Sequence, residues 1–323
     1  MEPSGTVVEA SLVAAYEEEF ADRVGGRRFT AFIAVNEQAS ALRLAVSALE
    51  VEHGDEVIVP SYAPAEAAAS IRSAGASPVF ADIDPRTFCL DPEAVAAAIT
   101  PRTTAVMAVH QFGHPADLHA LSSLCARHGL ALLEDASQAQ AASLDGRPVG
   151  SFGTVTAFPL GVVTADPALS RRIRRIRAGH ELPTEASAAV GRSALDQLAG
   201  FTARRRANAR VFDSALTGVH VPYVRPGAHH VYHRYTVRVP GNGRPDRDAF
   251  AKALAARGVK TVVPVPTPVH RLPVHRSDAH LPQTESAAAQ TLSLPIDPLL
   301  TEREVERTVA ACNALGGLLG SFG

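Results

Sequence analysis

LALLEDASQAQAASLDGRPVGSFGTVTAFPLGVVT, residues 130–164, decides how the rest of the chain is read. An apolar strand over 130–133 delivers two acids, Glu134 and Asp135, at its carboxyl end, and Ala136, Ser137 and Gln138 follow. Buried strands of α/β folds present their ligand-binding groups at that end. A polar loop then leads to Val149-Gly150-Ser151-Phe152-Gly153 and to a second apolar run ending at Phe158. Pro159-Leu160-Gly161 has the chemistry of a tight turn, and Val162-Val163-Thr164 continues as a strand. A turn of this kind is short enough to join two antiparallel neighbours.

Working outward, apolar and β-branched runs alternate with helical periodicity. Residues 30–35 read as a strand and 40–49 as a helix; 54–62 is a glycine turn entering a strand, followed by a helix over 65–73. A strand at 78–81, a helix at 92–99 capped by Asp91, a strand at 104–109 and a helix at 118–128 continue the series. Short connections between strand and helix predict a doubly wound, mostly parallel sheet. Beyond 165 come an arginine-rich helix to 177, a long helix over 194–216, a strand over 230–239 and helices over 247–257 and 301–315. The expected division is a large domain over 1–193, and a linking helix with a smaller α/β domain over 194–323.

Composition excludes several classes. The 323 residues carry a formal charge of −2, so the basic excess that phosphate neutralisation requires is missing and no nucleic-acid partner is expected. The runs Arg171–Arg177 and Arg204–Arg206 read as solvated helix faces, Ile173 and Ile176 lying on the packed side. No segment is apolar enough for a membrane span. Met1-Glu2-Pro3-Ser4-Gly5 has neither the basic nor the apolar part of a signal peptide, so a cytoplasmic protein is expected. Cys89, Cys125 and Cys312 are odd in number and far apart, which speaks against a disulfide framework or a zinc site. Only Lys252 and Lys260 are lysines among 31 basic residues.

Glu37, His110, Glu134, Asp135 and Gln138 all stand at carboxyl ends of predicted strands, where they could converge on one concavity. A histidine with carboxylates suffices for acid–base chemistry, which makes Asp135, His110 and Glu37 the candidate catalytic set. Gln138, Glu134, Tyr62, His180 and His270 are the candidate substrate-binding residues. No HxxxH or HExxH spacing suggests a metal.

Glu134-Asp135-Ala136-x-Gln138 and Val149–Gly153, with Gly54–Tyr62, Asp82-Ile83-Asp84-Pro85 and Ser293-Leu294-Pro295-Ile296, resemble the DegT/DnrJ/EryC1/StrS family over nearly the whole length. The resemblance implies an aspartate-aminotransferase-like fold, a homodimer and pyridoxal phosphate (PLP) chemistry on sugars in natural-product biosynthesis. It also implies that Asp135 pairs with the cofactor's pyridinium nitrogen and that Gln138 contacts its phenolic oxygen. Two motifs depart from the family pattern. Its Ser-Phe-x-x-x-Lys segment is absent after Phe158, and its Asn-Ser-Gly-Thr phosphate turn reads Asn36-Glu37-Gln38-Ala39 here. Glu37 would repel a phosphate at a helix N-terminus.

These departures lead to the expectation of no bound cofactor, the PLP pocket being dismantled, and of a repurposed PLP-independent enzyme acting by acid–base chemistry on a sugar or natural-product intermediate. Two alternatives follow: a non-catalytic partner of a lysine-bearing homologue, forming a heterodimer, and a non-covalent PLP enzyme.

Overall fold

The computed structural model describes residues 11–26, 28–180, 182–240 and 247–319. In chain order its elements are α1 (Leu12–Phe20), β1 (Ala31–Ala34), α2 (Gln38–Ala48), β2 (Glu56–Pro60), α3 (Ala65–Ser73), β3 (Ser77–Ala81), α4 (Pro92–Ala98), β4 (Thr103–Val109), α5 (Leu118–His128) and β5 (Ala131–Asp135). The short β6 (Ser143–Leu144) and β7 (Arg147–Pro148) precede β8 (Val155–Phe158), β9 (Gly161–Thr164), α6 (Pro167–His180) and α7 (Glu185–Ala215). The chain continues through β10 (Ala228–His229), β11 (Tyr235–Arg238), α8 (Arg247–Ala255), α9 (Pro282–Gln290), β12 (Thr291–Leu294) and α10 (Glu302–Leu319).

Seven strands form the main sheet in the order β1-β9-β8-β5-β4-β2-β3. From β8 to β3 the pairing is parallel, while β9 runs antiparallel to both β8 and β1. Both faces of a crossover-connected sheet must be covered, so the middles of its strands are mostly apolar and alternation shows only in which layer each side chain joins. Phe32, Ile58, Val106, Leu132, Phe158 and Val163 pack toward α1, α5 and α7. Their neighbours Ile33, Val57, Met107, Leu133, Ala157 and Val162 pack toward α2, α3 and α6. Each fully buried Ile, Leu or Phe contributes about 1.5–3 kcal/mol. A third core joins the end of α7 to β11, β12, α8 and α10 through Phe212, Tyr235, Leu254, Leu292 and Cys312.

The β8–β9 hairpin closes with Phe158 opposite Gly161, leaving Pro159 and Leu160 as the turn. The space for that turn depends on Gly161: a Cβ there would lie 2.2 Å from Phe32 Cζ and 2.8 Å from the Ile33 carbonyl oxygen.

Three sequence expectations change. The long helix begins at Glu185, because Thr184 and Ser187 form a reciprocal cap, so the expected boundary at 193/194 falls inside an unbroken α7. The strand expected over 230–239 is interrupted between β10 and β11, where Val231 N–H donates to the Gly113 carbonyl and Arg234 N–H to that of Phe112. The arginine run on α6 is more than a wet face. Arg177 donates to Glu17 and to the Ala34 carbonyl, and Glu17 accepts from Ala34 N–H. Those two side chains satisfy the backbone of Ala34 on the sheet's outermost strand, which would otherwise present an unpaired edge.

The seam between residues 112–117 and 225–234 is polar and buried. His114 donates from Nδ1 to the Pro115 carbonyl and accepts at Nε2 from Arg225 N–H, so the ring is neutral. Arg225 also pairs with Asp117 at 2.6 Å.

Gly161→Ala is expected to cost about 2 kcal/mol, since the obstructing Ile33 carbonyl is backbone and cannot swing away; an unchanged thermal midpoint would refute that reading. Burial lowers the His114 pKa to about 4 from its ordinary 6.5. Between those values the unfolded chain takes up a proton and the folded one does not, so stability should fall as pH drops from 6.5 toward 4, by about 3 kcal/mol from this group. Urea midpoints measured across that range check it, and the slope should flatten in His114→Gln.

Candidate active site

β5 ends in adjacent side chains that point to opposite faces, and the two acids there do different work. Glu134 is fully buried. Its Oε2 accepts from Gly150 N–H at 2.9 Å and from His110 Nε2 at 3.1 Å; Oε1 accepts from Phe152 and Gly153 N–H at 3.0 and 2.6 Å. Burial alone would raise its pKa, but the hydrogen bonds from His110 and the loop amides outweigh it and hold the carboxyl below its ordinary range. The glycine-containing loop before β8 is therefore folded around one carboxylate.

His110, also fully buried, spends both ring nitrogens: Nε2 donates to Glu134, and Nδ1 accepts from Ala116 N–H at 3.0 Å. An imidazole with both nitrogens engaged by protein is neither a free base nor a free acid, so the expected catalytic role of His110 gives way to a structural one. Glu134 is withdrawn from the substrate-binding set for the same reason.

Asp135 differs. Its Oδ1 accepts from Ser137 N–H at 3.0 Å and Ser137 Oγ at 2.5 Å, and no hydrogen bond reaches Oδ2 among the described residues. Burial raises its pKa, partly offset by Ser137. Gln138, one turn further on, accepts at Oε1 from the N–H of Phe112, a residue at φ 59°. The carboxyl ends of β4 and β5 are thereby tied together, with Asp135 and Gln138 on the same rim. Ser137, not among the candidates of the motif, orients the carboxylate.

The remaining candidates are dispersed. Glu37 occupies the N-cap position of α2 without capping it; its side chain is 61% exposed and lies 3.7 Å from Arg43. It follows β1, three strand spacings from β5, or about 14 Å, so it does not touch Asp135. Tyr62 is wholly buried and its hydroxyl is 2.6 Å from Thr291 Oγ1, which removes it from a substrate surface. His270 is equally buried, with Nδ1 2.6 Å from Ser61 Oγ and Nε2 3.4 Å from Glu285, and it pins the 269–271 turn to the end of β2. His180 closes α6, and its side chain lies outside the described residues. No group of three or more His, Cys, Asp or Glu able to hold a metal occurs among the described residues.

The residues present fit pyridoxal phosphate only in part. An oriented carboxylate with one free oxygen suits a protonated pyridine nitrogen, and Asp135 is such a group. The β8–β9 turn holds Pro159 and Leu160, however, and Lys252 and Lys260 are the chain's only lysines. No amine for a covalent link exists at that turn.

Substitution separates the two acids. Glu134→Ala would leave three loop amides and His110 without their buried acceptor and should cost about 3–5 kcal/mol. Asp135→Asn removes a charge that burial disfavours and should leave the urea midpoint at neutral pH unchanged or slightly raised. Equal destabilisation by both would show that Asp135 is also structural.

The model of the DegT/DnrJ/EryC1/StrS aminotransferase family matches residues 1–160 and 171–313, the break falling on β9 and the start of α6. The chain is 37% identical over 312 residues to dTDP-3-amino-3,4,6-trideoxy-alpha-D-glucose transaminase of Streptomyces venezuelae, covering 86% of this chain and 81% of the relative. It is 35% identical over 297 residues to UDP-N-acetyl-3-dehydro-alpha-D-glucosamine 3-aminotransferase of Acidithiobacillus ferrooxidans, covering 83% and 79%. The crystal structure of S. venezuelae DesV in complex with a ketimine intermediate superimposes with a TM-score of 0.87 at 35% identity, covering 97% of this chain and 91% of that one.

These findings correct the functional expectation. Relatives that match across most of both chains are named for amino transfer, which overturns the reading as a repurposed PLP-independent enzyme and favours neither a non-catalytic partner nor a non-covalent variant. The expectation of a lost cofactor falls with it. The lysine-free β8–β9 turn is a difference within an enzymatic family, not the mark of another chemistry. By the span of the family match and the coextensive likeness in sequence and fold, the chain belongs to the DegT/DnrJ/EryC1/StrS aminotransferase family.

Proposed function

We propose that the protein is a sugar aminotransferase, a cytoplasmic homodimer that exchanges a keto and an amino group on a nucleotide-linked sugar in natural-product biosynthesis. The observation that carries this reading is the coextensive likeness to chains named for amino transfer on UDP- and dTDP-linked sugars. The strand-end geometry supports it: Asp135 is held by Ser137 with one oxygen left for a ligand, and Gln138 is fixed beside it. His110 and Glu134 serve by holding that rim rigid. Among the described residues no helix is long and apolar enough to cross a membrane, which agrees with a protein that meets its substrate in water.

The direct test supplies purified protein with UDP- or dTDP-linked 3- and 4-keto sugars and with glutamate or glutamine as amine donor. Pyridoxal phosphate is added to the buffer, since the β8–β9 turn has no lysine to retain it. Amino-sugar product detected by mass spectrometry is the expected result, with Asp135→Asn reducing the rate at least about tenfold, equivalent to about 1.4 kcal/mol of barrier. Absence of product across the panel with a folded protein would sink the proposal.

A further inference from the structure

Away from the strand-end rim, one cleft of about 240 Å³ gathers an excess of positive charge. Its lining brings together Arg205 of α7, His233 and Arg234 just before β11, Lys260, and the segment from Ser293 to Asp297. Arg205, Arg234 and Lys260 set three cations against one carboxylate, Asp297. No side chain forms an ion pair within 4 Å with any of the three cations among the described residues. Asp297 accepts from Leu299 N–H at Oδ1, 2.8 Å away, and offsets part of the positive charge of Arg205.

The arrangement within the Arg204–Arg206 run sharpens the point. Arg204 is exposed, as a solvated face requires. Arg206 is satisfied at the His230 carbonyl, 2.7 Å away. Arg205, between them, is half-buried in the cleft wall, where burial pulls its pKa down and Asp297 only partly offsets it. Arg205 and Arg234, both half-buried, and the exposed Lys260 thus line one opening, where a multiply charged anion could accept charge-assisted hydrogen bonds from all three.

The cleft is also tied to the candidate active site. Arg234 N–H donates to the Phe112 carbonyl, and Phe112 N–H donates to Gln138 Oε1, so two hydrogen bonds lead from the cationic wall to the residue beside Asp135. Gly113 makes the junction possible: it sits at φ 91°, and a Cβ there would lie 2.7 Å from Val231 Cγ2 and 2.9 Å from His233 N. At 240 Å³ the cleft is below the usual range for a whole ligand, about 300–1,000 Å³, and suits a charged fragment of one.

We propose that Arg205, Arg234 and Lys260 form an anchoring subsite for the diphosphate of the substrate, separate from the rim where the sugar reacts. The assignment rests on the reading of the protein as an enzyme of nucleotide-linked sugars and adds the residues that recognise the phosphates. Charge-assisted hydrogen bonds to phosphate oxygens from a guanidinium and an ammonium would fix the nucleotide end, leaving the sugar ring to reach Asp135 and Gln138.

Titration calorimetry with UDP, dTDP and inorganic pyrophosphate tests the subsite without turnover. Arg205→Gln and Lys260→Gln are each expected to weaken UDP and dTDP binding about tenfold, the scale of one lost hydrogen bond to a charged group. Lys260→Arg should retain binding, as should Arg204→Gln on the neighbouring exposed position, and affinity should fall with added salt. Unchanged affinity in the two glutamine variants, with folding confirmed by circular dichroism, would overturn the assignment. So would pyrophosphate binding as tightly as UDP, which would mark an inorganic anion site. Loss of amino transfer with nucleotide binding intact would count against the catalytic proposal alone.

Discussion

One buried carboxylate organises the carboxyl edge of the sheet. Glu134 accepts from three amides of the loop before β8 and from His110 at the end of β4. A charge so placed is tolerable only because its hydrogen-bond donors are fixed around it, and those donors are fixed only because it is there. The mutual dependence sets the path of the chain from β5 into β8 and locks the His110 ring through Ala116. Asp135 can then be left with an open oxygen, since the neighbouring acid has already done the structural work.

The same division of labour appears at the sheet's outer strand. Glu17 and Arg177 occupy the backbone groups of Ala34, so β1 ends in satisfied hydrogen bonds while β9 fills the space between it and β8. The two-residue turn joining β8 to β9 fits because Gly161 brings no side chain against Phe32. A chain without a lysine at this turn keeps the full sheet order, which explains how the fold stays superimposable on an aminotransferase structure at a TM-score of 0.87. Architecture and cofactor attachment are physically separable here, because antiparallel neighbours need only a short connection.

Polar groups at the seam between residues 112–117 and 225–234 connect the reacting rim to the rest of the molecule. Gln138, Phe112 and Arg234 form a relay of backbone and side-chain hydrogen bonds, and the stacked rings of His230 and Tyr232 lie beside it, 4.1 Å apart. This seam turns the chain away from the extended path that its apolar pattern suggests, and it brings Arg234 toward Arg205 and Lys260.

What the sequence determined by itself was the alternation of apolar strands with amphipathic helices, and hence the doubly wound sheet; the antiparallel β8–β9 pair was legible only through the family resemblance. Burial on both faces writes that pattern locally. Family membership was legible in the short motifs around Glu134, Asp135 and Gln138. Tertiary structure alone decided which polar residues were free to act. His110, Glu134 and Tyr62 read like active-site groups because they stand at strand ends, and His270 as a group at the pocket rim, but each is consumed by a partner elsewhere in the chain: Glu134, the 150–153 loop, Thr291, Ser61. Arg205 read as a wet residue because periodicity reports which face a side chain is on, whereas the wall opposite it is built by residues 233–234, 260 and 293–297. Pairing over such separations is set by packing, which sequence periodicity does not report. The chemistry of the chain was overread for a related reason: one missing segment is visible in a motif, whereas its weight is measured only against the whole fold.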